Sequence, residues 1–369
     1  MDGLDLAAAQ EIADQLLDAW SAVEGGHRRE TIHQASLDAV EEEQPPPPGL
    51  AVGHVIDGDG RARIGVRATA RGKRLRAARS LVADIERQGV PIDFRIIPQP
   101  EIVSGQLDEG SGLGACFTEH LRPLCLGCSV SHENGPAGTL GAFVRRQGQI
   151  GILSCCHVLA LGGDASEGDF VCQPARRDLQ QMLGEHRVGT LSGTFTPLVP
   201  SLPKGPRVEN PLDAAMAFLT KAEYGDGNCI PCNDIVGERA IPADLKGKPI
   251  GKVGVAAALP RGARLAKIGR SSGYTEGILS MSNLRSFTPI LERKKARNTY
   301  IFPNVIEVES LSAATPFARG GDSGALVFTL PDRVPIGLHF CSVPLAGQPS
   351  LNYLMPLERI CAMLALEVL

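Results

Sequence analysis

The chain has 369 residues, of which 43% are hydrophobic and 21% charged, proportions typical of a globular protein rather than a disordered one. Its 37 Lys and Arg against 41 Asp and Glu give a net charge of −4, which excludes a polycation built to bind nucleic acid. Only 4% of residues are aromatic, whereas 42 glycines and 27 prolines predict many turns and short strands. The length favours about two domains.

The N-terminal residues 1–43 predict a helical hairpin. Apolar residues recur at helical spacing over residues 12–23, and the pair Gly25-Gly26 is expected to end that first helix. Residues 44–49, which include four consecutive prolines, form an extended linker. Two interpretations of the hairpin stay open: a tail that packs on its own protein, or a docking or oligomerisation module.

Residues 50–99 predict a small ββαβ unit. Two β-type runs flank the hairpin signal DGDG at residues 57–60, and a helical stretch and a further β-type run follow. The unit is basic, but modules that bind RNA usually interleave aromatic side chains, and only Phe94 could stack on a base here. A surface that faces solvent or a protein partner is therefore favoured over a nucleic-acid site.

Residues 113–369 consist of short β-type runs broken by Gly, Pro, Asn and Asp. Helical periodicity returns only in the last segment, LERICAMLALEVL. This pattern predicts two packed antiparallel β-barrels followed by a C-terminal helix. The expected fold class is therefore mainly β, with the helical hairpin and the ββαβ unit preceding the barrels.

The sequence carries no signal for export or for membrane insertion. Six acidic residues precede the first basic one, Arg28, which is the opposite of a secretory signal. No apolar run reaches the roughly 18 residues that a membrane-spanning helix needs. We therefore expect a cytoplasmic protein without membrane attachment, whose ten cysteines are mainly reduced thiols.

Two Cys-x-x-Cys pairs, Cys125/Cys128 and Cys229/Cys232, could bind zinc if the chain brought them together. Their separation of about a hundred residues is unlike that of a zinc ribbon. Ordinary thiols are therefore favoured, and we expect neither a metal nor another cofactor.

A nucleophile is predicted at Ser323, in the sequence GGDSG just before an apolar strand. Glycines on a tight turn leave the hydroxyl exposed, and the N–H groups of Gly321 and Ser323 can point at one oxyanion. A serine needs a base, and His157 follows an apolar run upstream. Asp213 enters another apolar run, where its carboxylate needs a partner and could hold His157 in one tautomer.

The segments IGILSCCHVLA, NPLDAAMAF and GGDSGALVF together resemble the chymotrypsin/trypsin-like serine peptidase family in the order His, Asp, Ser. The segments AGTLGAFVRR and AKIGRSSGYTEG resemble a cytosolic subgroup found in bacteria and in plant narrow-leaf-type proteins, which also carries the ββαβ unit. The resemblance implies two six-stranded barrels, with Ser323 as nucleophile, His157 as general base and acid, and Asp213 orienting the histidine. It further implies an intracellular endopeptidase acting on protein or peptide substrates, with a role in bacterial defence.

The sequence departs from the subgroup at Cys155-Cys156, directly before His157. A thiol nucleophile is one explanation. Neighbours on a strand point to opposite faces, however, so we expect these cysteines to serve packing or redox sensitivity instead.

The resemblance also implies where substrate specificity resides. Phe317, six residues before the serine, would lie at the base of the primary pocket, where an aspartate would attract Arg or Lys. His339 would form a wall of the same pocket, and an imidazole can hydrogen-bond an amide or a carboxylate. We hypothesise a preference for Glu or Gln before the cut; the alternative is an inward histidine satisfied by its neighbours.

Two further hypotheses concern the whole chain. A catalytically silent scaffold for protein binding is the alternative to a peptidase, although a scaffold has no need to retain all three triad residues. Because an unregulated cytosolic peptidase is hazardous, we also expect residues 1–100 to dock, inhibit or recruit through a regulatory protein partner. Homo-oligomerisation is compatible with the same organisation.

Overall fold

The computed structural model describes residues 4–35, 49–69, 71–102, 117–179, 186–201, 207–225, 227–232 and 240–369. A single helix, α1 (Leu6–Ala35), stands where the sequence predicted a hairpin. The predicted stop at Gly25-Gly26 is wrong, because two glycines cost a helix only about 1 kcal/mol each relative to alanine. Residues 36–48, which would hold the end of the second helix and most of the linker, lie outside the described residues.

The next elements follow in the ββαβ order expected from the sequence: β1 (Leu50–Ile56), β2 (Ala62–Ala68), α2 (Gly72–Glu86) and β3 (Ile92–Ile96). Strands β1 and β2 form an antiparallel hairpin, and β3 pairs parallel to β2. The two helices cover this sheet, since Leu16 and Trp20 of α1 share one hydrophobic cluster with Val82 of α2 and Val66 of β2.

The first of the two predicted barrels is an open half-barrel. Its strands are β5 (Ser129–His132), β6 (Gly138–Thr139), β7 (Ala142–Arg146), β8 (Gln149–Ser154), β9 (Phe170–Cys172), β10 (Arg187–Phe195), β11 (Ala215–Leu219) and the C-terminal β20 (Glu367–Val368). The sheet order is β20-β7-β8-β11-β10-β9-β5-β6. The prediction of two closed barrels is therefore confirmed for one barrel only, because this sheet ends at β20 on one side and at β6 on the other.

The second barrel is closed by six antiparallel strands. They are β12 (Arg264–Gly269), β13 (Gly273–Arg285), β16 (Val305–Ser310), β17 (Leu326–Thr329), β18 (Pro335–Leu345) and β19 (Gln348–Pro356). Pairing runs β12-β13-β16-β19-β18-β17 and returns to β12. The expected C-terminal helix, α4 (Leu357–Leu364), buries Leu357, Ile360 and Leu364 along one face.

The ββαβ unit is continuous with the closed barrel. Strand β1 pairs antiparallel with β13, so the N-terminal strands extend the barrel's own sheet. A fully buried ion pair crosses the junction, with Arg67 Nη2 2.7 Å from Glu307 Oε1. A short strand, β4 (Glu101–Ile102), lies between β18 and β14 (Ile290–Arg293), and β14 forms a hairpin with β15 (Ala296–Thr299).

Among the helices of the described residues, none combines the length and the apolar character needed to cross a membrane.

Candidate active site

The histidine and the aspartate predicted to act together are in contact. A one-turn helix, α3 (Cys156–Leu159), follows β8 and carries His157, while Asp213 lies just before β11, the strand that pairs with β8. His157 Nδ1 is 2.6 Å from Asp213 Oδ2, and the His157 backbone N–H donates to Asp213 Oδ1 at 3.0 Å. Both residues are buried. The Asp213 carboxylate accepts two hydrogen bonds from His157 and thereby fixes both its backbone and its ring.

The contact with Asp213 determines which nitrogen of His157 is basic. An ionised carboxylate only accepts hydrogen bonds, so Nδ1 is assigned as the protonated nitrogen and Nε2 as the acceptor. Nε2 is buried and has no hydrogen-bond partner among the described residues. A basic nitrogen that is oriented and unoccupied is what a general base requires.

The turn that carries Ser323 packs against both the strand before His157 and β6. Gly324 has φ +95°, and a Cβ there would lie 2.0 Å from Ser154 Oγ and 2.4 Å from Thr139 O. Only glycine fits both this backbone and this contact. The Thr139 N–H donates to Ser323 O at 2.8 Å, and the Thr139 hydroxyl donates to Gly321 O at 2.9 Å. The serine turn is thus held where the half-barrel meets the closed barrel.

The two N–H groups predicted to stabilise an oxyanion are available. Gly321 has φ +97°, a conformation that favours glycine. Within the described residues, the N–H groups of Gly321 and Ser323 donate to no acceptor. Together with Ser323, which is 4% exposed, they present a hydroxyl and two free donors on one turn.

The acidic residue beside the serine, Asp322, is buried, and both of its carboxylate oxygens accept hydrogen bonds. Lys267 Nζ lies 3.0 Å from Asp322 Oδ2, and the Ser272 hydroxyl donates to the same oxygen at 2.6 Å. Backbone N–H groups of Ser271 and Ser272 donate to Oδ1, and that of Arg319 donates to Oδ2. Burial alone would raise the pKa of Asp322, but the Lys267 charge and these hydrogen bonds lower it to about 2. Asp322 is therefore a structural anion that braces the serine turn.

Lys267 was missed from the sequence. It lies on β12 and its side chain is fully buried. A lysine inside the apolar run RLAKIG was a signal, because a buried ammonium needs an anionic partner. Nothing in the local sequence indicated that this partner would be Asp322, 55 residues further along.

The two cysteines before His157 lie differently from what was expected. His157 is on a one-turn helix rather than a strand, and Cys155, His157 and Asp213 offer ligand atoms that all lie within 4.8 Å of one another. The strand alternation assumed for His157 and its neighbour Cys156 therefore does not apply, and Cys155 lies beside the histidine. Burial, and next the charge of Asp213, raise the pKa of the Cys155 thiol well above its usual value. The thiol is thus protonated at neutral pH and poorly suited to be a nucleophile or a metal ligand.

Across the described residues, Cys155, His157 and Asp213 form the one group of three or more side chains close enough to share a metal ion. The two Cys-x-x-Cys pairs do not join into such a group.

The two residues predicted to set specificity belong to the closed barrel. Phe317 is fully buried; its N–H donates to Ser310 Oγ at 2.8 Å and its C=O accepts from Thr275 Oγ1 at 2.6 Å. His339 borders the serine turn, because its C=O accepts from the Gly324 N–H at 2.7 Å. Its side chain is 3% exposed.

A chain of polar groups leads away from the His339 ring. His339 Nε2 lies 2.9 Å from Ser342 Oγ, and that hydroxyl donates to Asn352 Oδ1 at 2.9 Å. Nδ1 of the ring is buried without a partner in the described residues. Burial, followed by the charge of Lys267, lowers the pKa of His339 to about 4, so the imidazole is neutral at pH 7.

No protein-family model matches this chain, and no curated protein matches its sequence. Solved serine proteases are similar to it in structure. Protease A of Thermobifida fusca covers 66% of this chain and 97% of its own, with 14% identity and a TM-score of 0.40. The Nocardiopsis protease NAPase has the same coverage and identity and a TM-score of 0.43. A glutamic-acid-specific serine protease, described as using a histidine triad in substrate binding, covers 67% of this chain and 100% of its own, with 13% identity and a TM-score of 0.42.

Proposed function

We propose that the chain is a serine endopeptidase whose nucleophile, base and orienting acid are Ser323, His157 and Asp213. The observation that carries the proposal is the buried His157–Asp213 pair, 2.6 Å apart, with its basic nitrogen unoccupied. A buried ring nitrogen without a partner costs about 1–3 kcal/mol. In His157 this nitrogen belongs to a ring whose other nitrogen is held by a carboxylate, which is the arrangement a general base needs. The neighbouring serine turn supplies the hydroxyl and the free N–H groups that such a base would serve.

In the proposed mechanism, Ser323 Oγ attacks the carbonyl carbon of the scissile peptide while His157 Nε2 takes the hydroxyl proton. Asp213 stabilises the resulting imidazolium through Nδ1. The negative charge that develops on the carbonyl oxygen is bound by the N–H groups of Gly321 and Ser323. The imidazolium then protonates the leaving amine, and an acyl-enzyme forms. Water, deprotonated by the same nitrogen, hydrolyses the acyl-enzyme and regenerates Ser323.

The test is covalent labelling by a fluorophosphonate probe, which reacts with an activated serine and needs no peptide recognition. Ser323→Ala is expected to abolish labelling. Ser192→Ala, a buried serine on β10, serves as the matched control and should label like the wild type. A folded chain that labels under no condition, as the wild type or as a variant, would refute the active peptidase and favour a silent binding scaffold.

We further propose that His339 biases the enzyme toward Glu or Gln before the cut. Its support is a neutral, buried imidazole that borders the serine turn and has one nitrogen unpaired. When Nε2–H donates to Ser342 Oγ, the bare Nδ1 can accept a hydrogen bond from a Gln amide. Donation to a Glu carboxylate requires the other tautomer, with the Ser342 hydroxyl turned toward Nε2. A survey of cleavage sites in unfolded proteins should show this bias in the wild type and lose it in His339→Ala. A survey without the bias, unchanged in the variant, would end the idea.

A further inference from the structure

Strand β18 has two edges, and one of them is hydrogen-bonded at His339 to the residues that follow Ser323. On one side β18 pairs with β19 from Gly337 to Leu345. On the other side β17 pairs only with residues 335–338. Beyond that point, His339 bonds to Gly324 and Ala325, the two residues that follow Ser323. The edge beyond His339 is therefore the nearest strand edge to the nucleophile that β17 leaves unpaired.

That edge is occupied by the chain itself. Ser342 pairs with Asn352 of β19 and also with Glu101 of β4, so β4 must lie on the edge opposite β19. A register shift between His339 and Cys341 marks a bulge, which re-aims the backbone groups that follow it. Strand β4 is antiparallel to β18 and lies three residues beyond the contact with the serine turn.

An extended peptide binds a protein by adding a strand to an exposed sheet edge, with its side chains entering adjacent pockets. A peptide that binds in this way beside the serine turn would use the edge that begins at His339, because β17 leaves that edge unpaired. We propose that β4 occupies the strand position of a bound substrate, so that the enzyme inhibits itself. This inference rests on the proposed peptidase function and describes how that same site is regulated.

Several contacts hold β4 in place from the side away from β18. The Ile290 N–H donates to Pro100 O at 2.8 Å, and Gln99 Nε2 donates to Thr288 O at 2.7 Å. Ile102 is 4% exposed and belongs to the main hydrophobic core. Release of β4 must therefore break contacts with β14 and the loop before it as well as with β18.

One of these contacts can be changed without touching the core or the proposed catalytic residues. Arg297 of β15 forms an ion pair with Glu101, and the two side chains are 56% and 49% exposed. Arg297→Glu replaces this attraction by repulsion between two carboxylates. Because an exposed pair contributes up to about 1 kcal/mol, we expect about a fivefold rise in the rate of hydrolysis of an unfolded protein such as carboxymethylated casein.

The design includes a control and a rescue. Arg145→Glu likewise replaces attraction by repulsion in a comparably exposed ion pair, that with Glu367 in the half-barrel, and should leave casein hydrolysis at the wild-type rate. The double variant Glu101→Arg/Arg297→Glu restores the attraction with the charges exchanged and should restore the low rate. A synthetic peptide with the sequence IPQPEI, residues 97–102, should inhibit Arg297→Glu more strongly than a scrambled peptide does.

Hydrogen exchange at the Glu101 and Ile102 amides reports whether β4 has been loosened, and Gln99→Ala is added to Arg297→Glu if exchange does not accelerate. Faster exchange with unchanged casein hydrolysis, while fluorophosphonate still labels Ser323, would overturn self-inhibition and leave the peptidase intact. Absence of labelling in the wild type and in every loosened variant would instead refute the proposed function, and self-inhibition with it.

Discussion

The buried pair Lys267–Asp322 should be required both for the stability of the closed barrel and for the shape of the serine turn. We consider Lys267→Met, which keeps the length and much of the volume of the side chain but removes its charge. Asp322 would then remain buried, with hydrogen bonds from Ser271, Ser272 and Arg319 but without a neutralising cation.

The cost can be worked out from this environment. Removal of one member of a buried ion pair destabilises a protein by about 3–5 kcal/mol, because the other charge is left uncompensated. The pKa of about 2 for Asp322 means that the folded protein favours its charged form over its protonated form by roughly 2–3 kcal/mol more than water does for a free aspartate. Part of the loss is recovered if Asp322 takes up a proton. We therefore expect a loss of about 3 kcal/mol, a large part of the usual 5–15 kcal/mol.

Urea denaturation followed by circular dichroism measures the loss of stability, and the rate of fluorophosphonate labelling reports whether the serine turn keeps its shape. Lys252→Met changes an exposed lysine and should match the wild type in both. Lys267→Met/Asp322→Asn removes both charges and should recover most of the stability lost in the single variant. A single variant as stable as the wild type, or a double variant no more stable than the single, would refute the reasoning.

Two further predictions concern groups around the proposed triad. Cys155→Ala should keep fluorophosphonate labelling within about threefold of the wild type, since the thiol is held protonated and has no catalytic part; loss of labelling comparable to that in Ser323→Ala would contradict this. The depressed pKa of His339 means that, as pH falls from about 6.5 to about 4, the unfolded chain takes up a proton that the folded chain does not. Stability should therefore fall by roughly 3 kcal/mol over that window, and urea titrations of His339→Gln should show a smaller fall; equal pH dependence in the two proteins would contradict the assigned burial.

The amino-acid sequence predicted the strand-rich chain from its short β-type runs. It also predicted the contact of His157 with Asp213, because a carboxylate that enters an apolar run needs a partner. It failed where long-range pairing decides the outcome. The half-barrel has a two-residue C-terminal strand, β20, at one end of its sheet, and no local propensity marks two residues as the partner of β7. Helix α1 continues through Gly25-Gly26, so the weak preference of glycine against helix did not end it there.

The position of β4 was likewise beyond sequence reasoning. Its two residues carry no alternating pattern, and its register is set by pairing with Ile290 and Ser342, about two hundred residues away. The role of Lys267 could not be predicted either, because its partner, Asp322, is close only in the folded structure. Local chemistry could thus be predicted from short motifs, whereas the contacts that support or obstruct it could not.

Regulation through residues 1–100 stays a prediction, and a short segment connects the ββαβ unit to β4. The Ile97 N–H donates to Ala68 O of β2 at 3.0 Å, and four residues further along Glu101 pairs with β18. Strand β1 pairs with β13 of the same barrel, and the buried Arg67–Glu307 pair spans the junction. A protein partner that bound the N-terminal unit and shifted β2 would therefore pull on β4 directly. If β4 blocks the substrate edge as proposed, the unit would act on activity through β4, without contacting His157 or Ser323.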